Sequence, residues 1–103
     1  MTFRWQWLRD SASDETDCTH CGLSFERGMI CWAHSNYQEH GRGHAHKSHD
    51  LMGAYLCMKC HDLLDGRAPG LSKPQRRMMF LDAFARSMVR LIDKGAFDVL
   101  VRR

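Results

Sequence analysis

Short apolar runs, divided by polar and glycine-rich stretches, set the layout of this chain. Thr2 to Leu8 alternates Phe3, Trp5 and Trp7 with polar residues, the period of a strand or of a strap across a core. Packing is the favoured role for these aromatic side chains over base stacking. Arg9 to Asp17 is polar and acidic and reads as a loop. Leu23 to Ile30 predicts a short hairpin turning near Arg27-Gly28. Met29 to Ala33 (MICWA) predicts a buried strand that ends at His34. From His34 to Asp50 the pattern has neither helical nor strand period, and a loop this long in a small domain is usually functional.

The second half regains its periodicity. Leu51 to Leu56 is apolar and leads to Cys57. CMKCHDLLDG then reads as a turn feeding a short helix closed by Gly66, with Arg67 to Leu71 as linker. Ser72 and Gln75 have capping-box spacing, with Pro74 in the first turn of a helix running to about Lys94 and capped by Gly95. Met78, Leu81, Phe84, Met88, Leu91 and Ile92 are predicted to share one face of it, packed on the core or pairing two protomers.

Length and composition bound the function. The 103 residues make one domain, small enough for a staple to help its stability. The formal charge of +3 permits a nucleic-acid partner without requiring one. Met1 to Arg9 has no apolar signal core, and no run is long enough to cross a membrane. A cytoplasmic protein is expected, in a compartment where thiols stay reduced and paired cysteines suggest metal before disulfides.

Cys18-x-x-Cys21 and Cys57-x-x-Cys60 supply four thiolates, the number that closes a tetrahedral structural zinc site. Two such pairs in one small domain argue against a redox motif. The fifth cysteine, Cys31, lies in an apolar run and reads as a small buried hydrophobe. His34 stands at the strand end and can serve as a general base. His61 and Asp65, one helical turn apart, can hold a divalent cation with open positions. Asp50 can orient the base or help with metal. Of the loop residues, Arg42 and Lys47 can meet phosphate, and His40, His44, His46 and His49 form a cluster of the kind that binds metal. Arg76, Arg77, Arg86 and Arg90 either touch backbone phosphates or form a solvated helix face.

The order CxxC, Ala33-His34, Gly41-Arg42-Gly43, Lys47-Ser48-His49-Asp50, then Leu56-Cys57-Met58-Lys59-Cys60-His61-Asp62-Leu63-Leu64-Asp65 resembles YbcO-like prophage nucleases, within the HNH or His-Me finger superfamily. The resemblance spans roughly Cys18 to Gly66. It implies a β-hairpin and helix around one metal, with His34 as general base, His61 as a metal ligand and Asp65 as a second helical ligand. The place of the middle HNH residue falls nearer Asp50 or His49 than Asn36.

The expectation is a small zinc-stabilised α+β domain over 1–103: a ββα-metal core at 18–66 and a long C-terminal helix at 72–95. Its expected activity is metal-dependent endonucleolytic hydrolysis of DNA, and Mg²⁺, Mn²⁺, Ni²⁺ and Zn²⁺ all suit mixed His/Asp ligation. Double-stranded DNA is the expected partner, with a homodimer through the last helix. The competing reading is a non-catalytic zinc-ribbon-like module that binds nucleic acid or a protein. A metal sensor or carrier using the histidine loop is a third.

Overall fold

The computed structural model describes residues 3–37 and 49–98. Its elements in chain order are helix α1 (Gln6–Ser11), a 3-10 turn (Ala12–Asp14), strands β1 (Ile30–His34) and β2 (Gly53–Cys57), and helices α2 (Met58–Asp65) and α3 (Lys73–Asp93). β1 and β2 form an antiparallel hairpin in the register Ile30↔Cys57 to His34↔Gly53. The result is a small α+β domain with a clustered four-cysteine site, consistent with a ββα-metal architecture.

Every residue of β2 is buried, although the sheet has only two strands. Its outer edge still carries backbone groups that burial would leave unpaired. Side chains and backbone from other elements meet them at Tyr55. Its N–H donates to Ser87 Oγ of α3, and its carbonyl accepts from the N–H and Oγ1 of Thr19. Thr19 lies inside the first CxxC turn, so this edge also ties that turn to the hairpin. On one face of the sheet, Trp32 packs edge-on against Tyr55, whose hydroxyl is 2.6 Å from Ser11 Oγ at the end of α1.

The N-terminal strand expected from aromatic alternation is instead helical from Gln6. Gln6 bonds Asp10 and accepts from Arg9, the i+4 and i+3 partners of a helix. Trp5 is the N-cap residue, and its N–H donates to Asp50 Oδ2 at 2.5 Å. A carboxylate 45 residues away thus helps fix the start of α1. Part of the expected Arg9 to Asp17 loop belongs to α1 and the 3-10 turn. The turn at Arg27-Gly28 is present, with Gly28 at φ 88°, but its flanks do not pair as a hairpin. Residues 23–25 fold back on 16–18 around the cysteine turn, through Cys18 N–H to Leu23 O and Phe25 N–H to Thr16 O.

α2 ends where expected, at Gly66 in the left-handed conformation (φ 76°). α3 opens with the complete Ser72–Gln75 capping box. Its buried residues are Met79, Phe80, Ala83, Ser87 and Leu91; of the expected face, Leu91 is among them and Phe84 and Met88 pack partly buried against the core. Met78, Leu81 and Ile92 are 72%, 43% and 63% exposed. The helix therefore carries two apolar stripes, one inward and one outward. Among the described residues, no helix is long and apolar enough to cross a membrane.

Candidate functional site

The two cysteine pairs precede and follow the hairpin in sequence and meet at its open end, where Cys57 pairs with Ile30. Cys18 and Cys21 lie in the turn anchored to Tyr55, while Cys57 closes β2 and Cys60 lies in the first turn of α2. Their ligand atoms all lie within 4.8 Å of one another, with Cys21 Sγ 4.0 Å from Cys57 Sγ. Sulfurs around a tetrahedral zinc with bonds of about 2.3 Å lie roughly 3.8 Å apart, so this donor set fits that ion. Cys18, Cys57 and Cys60 are buried and Cys21 is exposed. Burial raises the Cys57 and Cys60 thiols. It also acts to raise Cys18, but backbone N–H groups in both turns outweigh it and bring that thiol down to about 7. Among the described residues, this is the only cluster of three or more converging His, Cys, Asp or Glu ligand atoms.

His34 ends β1 and is bound to Asp50, with Nε2 2.9 Å from Oδ1. Asp50 is fully buried. Its Oδ1 also accepts from Arg4 at 2.8 Å, and its Oδ2 accepts from Trp5 N–H and faces Arg9 Nε at 3.4 Å. Burial acts to raise the Asp50 carboxyl, but the Trp5 N–H, His34, Arg4 and Arg9 more than reverse this and hold it below the ordinary carboxylate value. Asp50 is therefore an ionised anchor for the imidazole. Trp32 Nε1 donates to the Asp50 carbonyl, so the same strand face grips both ends of this residue. His49 plays a different part: its Nδ1 accepts from Phe3 N–H at 2.7 Å and pins the N-terminal segment.

His61 and Asp65 form a second pair on α2, with Nε2 and Oδ2 3.1 Å apart. Cys31 Sγ approaches the other ring nitrogen of His61 at 3.3 Å. Cys31 and His34 have opposite parity in β1, so the two pairs meet this strand from different sides. Asn36 meets the second pair. It lies two residues beyond His34, and its Nδ2 donates to Asp65 Oδ1 at 2.7 Å. Arg67 Nη2 lies 3.0 Å from both Asp62 Oδ1 and Asp65 Oδ2.

The structure therefore brings His34 to Asp50 and His61 to Asp65, with Asn36 bonded to Asp65. Arg42, Lys47, His40, His44 and His46 lie outside the described residues. Sequence reasoning missed the contacts of Cys31, Asn36, Arg4 and Arg67. Only Arg67 had a local signal, its closeness along the chain to Asp62 and Asp65. Cys31, expected to be a small buried hydrophobe, is half-buried with its sulfur 3.3 Å from His61 Nδ1.

No curated protein and no solved structure matches the chain. A family model described as Putative nuclease YbcO matches residues 25–96. That stretch holds both strands, α2, α3, His34, Asp50, His61, Asp65 and the second cysteine pair, and it leaves out the first pair. Covering well over half of the sequence, the match makes this chain a member of the YbcO family.

Proposed function

We propose that the chain is an HNH-type, His-Me finger endonuclease that hydrolyses DNA phosphodiester bonds with a divalent cation, on a fold stapled by structural zinc. The observation that carries this reading is the His34–Asp50 pair at the end of β1, with the His61–Asp65 pair on α2 as a separate candidate metal pair. Asp50 engages Nε2, which leaves Nδ1 of His34 to take a proton from water and Asp50 to stabilise the resulting imidazolium. His61 and Asp65 would hold the cation. Their 3.1 Å separation suits neighbouring ligands on one ion, since bonds of about 2.1 Å at right angles place donors roughly 3 Å apart. Such an ion, Mg²⁺, Mn²⁺, Ni²⁺ or Zn²⁺, would polarise the scissile phosphate and stabilise the leaving oxygen.

The substrate in this reading is double-stranded DNA, met by Arg42 and Lys47, in the reducing cytoplasm of a bacterial or phage-infected cell. Two copies would pair through the outward stripe of α3. Met78, Leu81, Ala85 and Ile92 are exposed at the spacing of a helix seam, flanked by Arg77 and Asp82, which can pair across a parallel dimer. A monomer in sedimentation at all concentrations would remove that pairing.

The direct test is nicking of supercoiled plasmid by zinc-loaded protein with Mg²⁺, Mn²⁺ or Ni²⁺. The expected result is cleavage that needs the added ion and disappears in folded H34A. A second reading, a non-catalytic zinc module, draws on the four cysteines being the only converging ligand cluster among the described residues. Failure to cleave plasmid, single-stranded DNA or RNA would favour it.

A further inference from the structure

The cations of α3 divide into two groups. Towards its C-terminal end they serve the chain itself. Arg86 donates to Thr19 O at 3.0 Å and pairs with Asp82, while Arg90 donates to Asp17 O and faces Glu15. Lys94 also faces Glu15, at 3.4 Å. These contacts brace the first cysteine turn and account for charges that a sequence reading leaves open to phosphate.

At the N-terminal end the picture reverses. Lys73 and Arg76 are three residues apart on one side of the helix. Among the described residues, neither has an ion-pair partner. With Asn36, Tyr37, Leu64 and Asp65 they line a cleft of about 390 Å³. The Arg76 guanidinium lies across Gly66, where an added Cβ would stand 2.8 Å from Nη1. Glycine at the end of α2 therefore both closes that helix and leaves space for the arginine. Arg77 stacks over the Tyr37 ring at 4.9 Å, covering the aromatic face at the cleft's edge.

The cleft thus has two unpaired cations on one wall and, on the other, Asp65 of the His61 pair. We propose that Lys73 and Arg76 bind the DNA phosphodiester backbone beside the scissile bond. The assignment of DNA rests on the nuclease reading; the anion site rests on the cleft. Guanidinium and ammonium groups hold phosphate without reading a base, so the site contributes affinity and register rather than sequence preference.

The test is anisotropy of a fluorescein-labelled DNA duplex with the full zinc-loaded chain, without a cleavage ion, across a salt series. K73Q/R76Q should bind about tenfold more weakly, and its log–log salt slope should be shallower by about 2, one unit for each lost phosphate contact. K59Q, which alters an exposed charge on α2 outside the cleft, should match the wild type. Zinc content and circular dichroism establish that each variant is folded. Unchanged affinity in K73Q/R76Q, or weaker binding with an unchanged slope, overturns the proposal. If the wild type cleaves plasmid and K73Q/R76Q binds normally, the cleft assignment fails and the nuclease reading stands. If binding depends on Lys73 and Arg76 but nothing is cleaved, the nuclease reading fails and the cleft stands. A wild type that binds no duplex, or that binds RNA instead through these residues, overturns the DNA assignment.

Discussion

Cys31 Sγ lies 3.3 Å from Nδ1 of His61 and 3.3 Å from the carbonyl oxygen of Leu56. Burial pushes the Cys31 thiol up, so it stays protonated and donates to Leu56 while its sulfur accepts from the imidazole N–H. In the proposed cation site this leaves Nε2 as the nitrogen free to meet a metal beside Asp65. C31A should therefore weaken binding of the added divalent ion by about ten- to a hundredfold, the usual cost of losing such a support. C31S should retain most of the affinity, and zinc content should not change in either. Calorimetric titration with Mn²⁺ checks this; equal affinity in C31A and the wild type would show that the contact is only packing.

Arg67 competes for the carboxylate that the proposed cation site would use. Its guanidinium shares Asp65 Oδ2 with His61. R67Q should bind Mn²⁺ or Mg²⁺ severalfold more tightly, because the ion no longer displaces an internal charge. Weaker binding in the same titration would mean that Arg67 instead holds the carboxylate ready for metal.

Asp50 makes stability depend on pH in a known direction. Its folded-state pKa lies below the ordinary value, so its ionised form favours folding above the unfolded pKa. That contribution is lost as pH falls through the depressed folded value. D50N should be less stable than the wild type at neutral pH by about 1–3 kcal/mol, since the buried donors around it lose a charged acceptor. The gap should narrow in acid. Urea titrations of both proteins, with zinc held in excess, measure it; a gap independent of pH would rule out a titrating Asp50.

Removing zinc should melt more than the cysteine turns. Cys57 ends β2, Cys60 lies in α2, and Thr19 between Cys18 and Cys21 holds the edge of β2. Chelation should therefore cost helical circular dichroism and fixed aromatic signals together, and re-added zinc should restore both. Survival of the cooperative thermal transition after complete zinc removal would show that the fold does not depend on the ion.

Features set by neighbours along the chain were legible in the sequence. The Ser72–Gln75 box, the close of α2 at Gly66 and the β1 and β2 runs all depend on residues a few positions apart. The cysteine pairs were legible because ligand number and spacing are chemical constraints. The start of α1 was not, because its N–H is met by Asp50 through tertiary contact rather than by a local cap. On α3, Leu91, Phe84 and Met88 were placed correctly, but Met78, Leu81 and Ile92 were misplaced, because apolar residues also face outward and periodicity alone does not say which of them meet the sheet. The roles of Asn36 and Cys31 depend on how α2 lies against β1, which no local spacing encodes.

Gly53 stands opposite His34 in the hairpin, beneath the Trp32 ring. A Cβ at this position would come within 2.5 Å of Trp32 Nε1 and 2.9 Å of the Ala33 carbonyl oxygen. The backbone contact denies the position a side chain even if the indole were trimmed away. Mutational drift at 53 is therefore blocked outright, whereas drift at 32 is limited by its bond to Asp50. The hairpin that presents His34 thus has one position, in β2, fixed by collision and a neighbouring one, in β1, held by attraction. In a library of random hairpin variants, glycine at 53 should be recovered more uniformly than tryptophan at 32.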